Sequence, residues 1–370
     1  MNNESRWIGQ VDTPSMVIDL DVVRTNIAEM QRIANEGGKQ LRPHMKTHKL
    51  PQIAKMQRDA GAVGITCAKL GEAEVMRAAG IESIFIAYPL IGESKIKRLA
   101  ALAKTTHMRV CVDSVAVAEP MSATLQSEGA KVEAVIKIDT GQGRTGLKDA
   151  TQIVELARRI RDLPALDFVG IYTHEGQVYN AVTEPENIPA LAGDAAGQMR
   201  AHKHALTTAG IECPVVSVGS TMSAHHMAHE EGITELRPGA YIFNDVSTVT
   251  AGLVDVNRVA QSIVTTVVSR PDDQRAIVDG GSKSFCSDTS PYIDGQAVCR
   301  TRSDLKLLKF SEEHGWIRLD RPGPDPKVGD RLTFYPVHCC AAQNMWTEVV
   351  IVEGQKITGT WPVAARGLVQ

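Results

Sequence analysis

Between residues 40 and 245 the chain repeats one pattern: apolar stretches of strand length alternate with segments of helix length. The strand candidates are QLRPH, VGITCAK, SIFIAYP, MRVCVDS, EAVIKIDT, FVGIYTHE, CPVVSVGS and TELRPGAYIF. Between them lie PQIAKMQRDAG, LGEAEVMRAAG, GESKIKRLAALAK, VAVAEPMSATLQSEG and DAAGQMRAHKHALTTAG. AKLGEAEVMRAAG closes on the glycine expected just past a helix. Strands alternating with helices in this way predict a (β/α)8 TIM barrel. In such a barrel the polar residues just beyond the strand ends form the active-site face. That selects His44, Lys46, Cys67, Tyr88, Asp113, Asp139, Arg144, His174 and the SVGST turn.

The flanks read differently. Residues 14–20 form a short extended run before an amphipathic helix, roughly Asp21 to Glu36. After Asn257 come QSIVTTVVSR, RAIVDGG, KLLKFSEEHGW, DRLTFYPVH, TEVVIVEG and KITGTWPV, strands joined by Gly, Pro and Asp turns. We expect a barrel over 14–250 and a mostly β domain over 255–370 that takes in residues 1–13. A length of 370 residues suits two domains. The net charge of −3, with no Lys/Arg stripe, argues against a nucleic-acid partner. The N-terminus lacks a signal pattern, and no segment reads as a membrane span. Seven scattered cysteines describe no disulfide framework, so a cytoplasmic chain with reduced thiols is expected.

Chemistry-bearing residues gather at the predicted strand ends. LRPHMKTHK crowds Arg42, His44, Lys46, His48 and Lys49 into one stretch. A lysine facing a pocket there is a candidate Schiff-base nucleophile, activated by burial and neighbouring cations. Lys46 and Lys49 both qualify, and alternation puts Arg42, His44 and Lys46 on one face. A basic surface loop is the competing reading. KIDTGQGRTGL carries Asp139 and Arg144 in a glycine-rich turn whose spacing is not that of a dinucleotide fingerprint. In IYTHEGQVY, Tyr172 and His174 share a face, and His174 is a candidate acid–base group near neutrality. Gly219, Ser220 and Thr221 in VVSVGSTMSA are groups that hold a phosphate at a helix N-terminus, or else an ordinary cap. HHMAHEE reads as a surface helix. His338 and Cys340 in YPVHCCAAQN are two apart on an extended run and form a candidate metal pair, with packed cysteines beside a histidine as the alternative.

Together these stretches carry a resemblance. DTPSMVIDLDVVRTNIAEMQ, LRPHMKTHK, GITCAKLGEAE, IDTGQGRTG, IYTHEGQVY, CPVVSVGST, ELRPGAYIFND, AIVDGG, EEHG and HCC resemble the fold-type III pyridoxal phosphate enzymes of the D-threonine aldolase and D-serine dehydratase group. The resemblance covers nearly the whole chain. It implies an alanine racemase-like barrel with a C-terminal β domain, and Lys46 as the residue that carries pyridoxal 5'-phosphate. It implies Arg144 at the cofactor ring nitrogen, with His44, Tyr172 and His174 beside the cofactor. It further implies Gly219, Ser220 and Thr221 as the phosphate cup, closed by Tyr241. His338 and Cys340 would bind zinc, or manganese or another divalent ion, to hold the substrate's 3-hydroxyl. A homodimer is implied, with the active site at the subunit interface.

The resemblance also implies a lyase acting on D-3-hydroxy amino acids. His-x-Cys is typical of the dehydratases of the group and His-x-Asp of the aldolases, so a dehydratase is expected. A D-threonine-type aldolase is the alternative. A racemase would leave the metal pair idle, and a non-catalytic pyridoxal phosphate carrier would usually lack the second domain. The AAQNMW run after HCC departs from both branches.

Overall fold

Eight parallel strands order residues 40–236: Gln40–Leu41, Ile65–Cys67, Ser83–Ile86, His107–Val112, Val132–Ile138, Leu166–Thr173, Val215–Val218 and Glu235–Leu236. The computed structural model describes residues 5–289 and 293–370. Each strand overlaps one of the eight stretches picked out by periodicity, and three of them, His107–Val112, Val132–Ile138 and Leu166–Thr173, begin one or two residues earlier. Val132–Ile138 is buried at all but one position, as expected for a parallel strand covered on both faces. The last strand pairs with the first, and the ring closes at a parallel bridge between His44 and Thr66. There Thr66 N–H donates to Pro43 O at 2.8 Å and Met45 N–H to Thr66 O at 2.9 Å.

The surrounding helices follow from their own patterns. Ala150–Arg161 buries Ile153, Leu156, Ala157 and Ile160, an i, i+3, i+4, i+7 stripe. Asp149 caps it by accepting the Gln152 N–H at 2.9 Å. Arg158, Arg159 and Arg161 occupy its last turn, where positive charge suits the exposed carbonyls.

A second set of strands forms a nine-stranded sheet, antiparallel except where Ser15–Asp19 runs parallel to Glu348–Glu353. Gln261–Ser269 pairs with both Arg331–Pro336 and Arg275–Val278, which closes part of this sheet on itself. Trp7, Val11, Val17, Val264 and Val352 cluster in its core. The α-helices from residue 246 onward are one turn long: Val246–Thr250, Ser282–Phe285 and Cys339–Gln343.

The two compact units divide the chain differently from the expected ranges. The barrel unit comprises residues 28–46, 51–239 and 368–370, and the strand unit 1–27, 47–50 and 240–367. The run at 14–20 is a strand of the antiparallel sheet because its partners there offer complete ladders. No helix among the described residues is long and apolar enough to cross a membrane.

Candidate active site

The alternation expected through LRPHMKTHK stops early. The strand ends at Leu41, His44 makes the closing bridge, and Met45–His48 is a turn. Arg42, His44 and Lys46 therefore do not share a strand face. Arg42 is buried, with Nε on Glu235 at 2.8 Å and a second nitrogen on Ser83 Oγ at 2.8 Å. His44 Nδ1 accepts the Lys46 backbone N–H at 3.3 Å. Lys46 is half-buried and has no side-chain hydrogen bond or ion pair among the described residues. Lys49 belongs to the strand unit, is buried, and donates from Nζ to Ala365 O at 3.4 Å. Of the two lysine candidates, Lys46 is the one that keeps its amine available.

Inside the barrel a buried charge network forms the floor. Glu235 accepts from Arg42, from Arg109 at 3.1 Å and from Ser217 Oγ at 2.6 Å. Burial alone raises its pKa, but Arg42 and Arg109 hold it below the usual carboxylate range. Arg237 continues the network: Nε donates to Ser217 Oγ at 2.7 Å and a terminal nitrogen donates to Thr173 O. Its guanidinium lies 4.9 Å from the Tyr172 ring centroid. Lys137 Nζ lies 4.5 Å from the same ring. Burial, and next the charge of Arg237, lower the Lys137 pKa to about 7. Tyr172 is itself buried, edge-on to Phe85 at 5.1 Å and hydrogen-bonded to the Cys111 thiol.

Gly219 is held from both sides. His174 Nδ1 donates to its carbonyl at 2.5 Å, and its N–H donates to Glu175 at 3.1 Å. Glu175 also accepts from Ser223 Oγ at 2.5 Å. A β-carbon at position 219 would meet the Arg237 side chain at 2.7 Å, so this close approach requires glycine. Two expectations change. The Gly219 N–H is already occupied by Glu175, and the helix that follows, Ala224–Met227, is a single turn, so no extended helix end supports a phosphate. The turn still fits one: Ser220 Oγ is buried with no hydrogen-bond partner among the described residues, an unmet need that a phosphate oxygen satisfies. Thr221 is buried beside it.

His174 is not a group that titrates near neutrality. Burial, and then the positive charge of Lys46, push its pKa down to about 3. With Nδ1 donating to Gly219, the neutral ring leaves Nε2 as an acceptor. Arg144 is exposed, in contrast to buried Arg237. Asp139 anchors the glycine-rich turn, accepting N–H bonds from Gly141 and Gly143 at 3.0 Å each. Burial works against its charge, and these donors with Lys148 hold its pKa below the usual value. Tyr88 is exposed under the Lys69 ammonium, 3.8 Å from its ring centroid. His225 and His226 of HHMAHEE are half-buried on the one-turn helix.

In the strand unit, His338 and Cys340 do meet, but not by strand alternation. His338 precedes the short helix Cys339–Gln343, whose first turn brings the Cys340 thiol onto the imidazole. That hydrogen bond is the main reason the His338 pKa rises to about 10. His338 Nδ1 also bonds Asp288 Oδ2 at 2.6 Å, and Thr47 Oγ1 lies 3.1 Å from Cys340 Sγ. Exposed imidazole beside thiol is a donor set suited to zinc. No group of three metal-ligating side chains occurs among the described residues, so substrate or solvent oxygens would complete the shell. Cys339 is buried, 4.0 Å from Cys340 sulfur to sulfur. Tyr241 is buried in the turn Ala240–Ile242.

With this geometry in place, residues 18–246 match the family described as alanine racemase, N-terminal domain. The chain belongs to that family. Residues 260–352 match a putative serine dehydratase domain, so both halves of the alanine racemase-like plan are present. The D-threo-3-hydroxyaspartate dehydratase of Delftia sp. strain HT23 is 34% identical over 370 residues, covering 95% of this chain and 97% of that one. The crystal structure of D-threonine aldolase from Filomicrobium marinum matches with a TM-score of 0.90 at 31% identity, covering 97% of this chain and 96% of that one. A solved D-threo-3-hydroxyaspartate dehydratase, a cysteine-to-alanine mutant in the metal-free form, matches with a TM-score of 0.88 at 32% identity over 96% and 98% of the chains. The alanine racemase-like family is pyridoxal phosphate-dependent, as the motifs implied.

Sequence reasoning missed Glu175, Arg237 and Lys137. Glu175 directly follows His174, and Arg237 sits in the quoted ELRPG stretch. Their signal was a charged residue at the end of a buried strand.

Proposed function

We propose that this protein is a pyridoxal phosphate- and divalent-metal-dependent lyase of D-3-hydroxy amino acids. It would act as a dehydratase, converting D-serine, D-threonine or D-3-hydroxyaspartate into a 2-oxo acid and ammonia. The observation that carries the choice is the His338–Cys340 contact, a thiol where the aldolase branch has a carboxylate. The similarity to a dehydratase along 95% of the chain supports it.

Ser220 and Thr221 would hold the cofactor phosphate, with Gly219 fixed behind them by Glu175 and His174. Lys46 would carry the cofactor, and Tyr241 and His44 remain assigned to its surroundings. We move the ring-nitrogen role from Arg144 to Arg237, because Arg237 is buried in the barrel interior and Arg144 is exposed. A guanidinium cannot give up its proton, so it leaves a facing ring nitrogen unprotonated. When bound, pyridoxal phosphate supplies an electron sink for charge developing at the substrate Cα, and the metal a Lewis acid for the 3-hydroxyl. Lys46 Nζ would take the proton from the substrate Cα. His174, neutral at physiological pH, offers Nε2 as an acceptor and exchanges no proton. His338 and Cys340 hold the ion. Zinc as that ion, a homodimer whose subunits share the active site, and a cytoplasmic location belong to the same proposal.

The deciding experiment is incubation with D-serine, D-threonine and D-threo-3-hydroxyaspartate, scored for 2-oxo acid against glycine. Oxo acid and ammonia are expected. Glycine as the main product overturns the dehydratase assignment in favour of the aldolase reading, which the likeness to the Filomicrobium enzyme supports. An absorbance band near the visible edge, lost on borohydride reduction and in Lys46→Ala, tests the cofactor linkage separately. Metal analysis and light scattering test the ion and the dimer.

A further inference from the structure

His338 has two ring nitrogens and two partners. Nδ1 lies 2.6 Å from Asp288 Oδ2, and the ring also hydrogen-bonds the Cys340 thiol. A carboxylate only accepts, so the bond at Nδ1 requires a proton there. That leaves Nε2 on the Cys340 side.

The turn that delivers Asp288 is unusual. Cys286, two residues earlier, has φ 76° and ψ 177°, a backbone region that residues with a β-carbon rarely adopt. Its buried thiol takes the backbone N–H of Asp288. A strained residue thus fixes the backbone of the residue whose carboxylate meets the imidazole. The Asp288 side chain is 49% exposed, so its removal does not disturb a core.

We propose that Asp288 is the positioning residue for His338. Its carboxylate locks the imidazole with Nδ1 protonated and presents the Nε2 lone pair, beside Cys340, to the divalent ion. This rests on the metal reading above and adds a residue to it. It follows from a general rule: a histidine that ligates a metal donates its other N–H to a carboxylate or carbonyl, which fixes its tautomer and raises its basicity.

The test is zinc affinity, measured by competition with a chromophoric chelator on the pyridoxal phosphate-loaded protein, for native, Asp288→Ala, Asp288→Asn and His338→Ala forms. Asp288→Ala is expected to weaken zinc binding about 10–100-fold while the cofactor absorbance stays unchanged. Asp288→Asn keeps an acceptor oxygen, and is expected to recover most of the loss and to guard against a folding defect in the alanine variant. Nitrogen NMR of histidine-labelled, zinc-loaded protein is expected to show His338 protonated at Nδ1 and metal-bound at Nε2 in native and Asn proteins, and a mixture in Asp288→Ala. Native zinc affinity with an unchanged tautomer in Asp288→Ala overturns the proposal. If His338→Ala loses zinc while Asp288→Ala does not, only the Asp288 role falls. If His338→Ala binds zinc as tightly as native protein, the metal reading falls and takes this proposal with it.

Discussion

Glu175 accepts the backbone N–H of Gly219 at 3.1 Å, while its sequence neighbour His174 donates to the carbonyl of the same glycine at 2.5 Å. Adjacent residues on one strand end thus clamp the turn that precedes Ser220 and Thr221. Glu175→Ala strips buried Gly219 N–H and Ser223 Oγ of their acceptor. A loss of about 1–3 kcal/mol in stability is expected for each unsatisfied group. Pyridoxal phosphate should bind more weakly as well, since the clamped turn is the proposed cup. Urea unfolding and cofactor titration measure the two effects.

His174 makes stability depend on pH in one direction. Its folded pKa, about 3, lies below the ordinary histidine value of 6.5. Between those values the unfolded chain binds the extra proton, so stability is complete above pH 6.5 and falls as the pH drops towards 3. His174→Gln should flatten that part of the profile. Urea midpoints measured across this range for both proteins check the sign, and a stability gain on acidification would contradict it.

Glu235 ties Arg42, Arg109 and Ser217 into one buried network. Glu235→Gln keeps the shape but takes the counter-charge from buried Arg42, while Arg109 retains Glu133 at 2.8 Å. Removing one member of a buried ion pair costs roughly 3–5 kcal/mol. A large fall in melting temperature is expected, with the Lys46-dependent absorbance surviving below the transition.

Removing the proposed ion should separate cofactor from chemistry. Chelation, His338→Ala or Cys340→Ala is expected to cut turnover by about 100-fold or more, given the several kcal/mol a Lewis acid contributes. The cofactor absorbance should persist, because Lys46 belongs to the other unit. An unchanged rate after chelation would remove the pair from the catalytic machinery.

The barrel was legible because its signal is periodic and local. All eight strands overlap apolar stretches that stand out between helix-length segments. The division into units was less so, since residues 14–20 look the same whether a strand joins the barrel or pairs with Gln261–Ser269. Lys46 was singled out by crowding, although the strand-face argument behind it fails at Leu41. His338 and Cys340 were singled out by a spacing that suits a strand, whereas a helical first turn joins them. Arg237, Glu175 and Asp288 were not found. Each works through a partner far away in sequence, 50 residues in the case of Asp288, and nothing local marks that pairing.

The bridge at His44 and Thr66 lies two residues before Lys46. The lysine is therefore mounted on the seam where the ring of strands is stitched shut. A brief parting of that seam would release the segment proposed to bear the cofactor while the other strand pairs stayed intact. Amide exchange at Met45 and Thr66 is then a direct gauge of how firmly Lys46 is held. Ligands that quieten exchange at those two amides would be acting on the anchorage of the lysine itself.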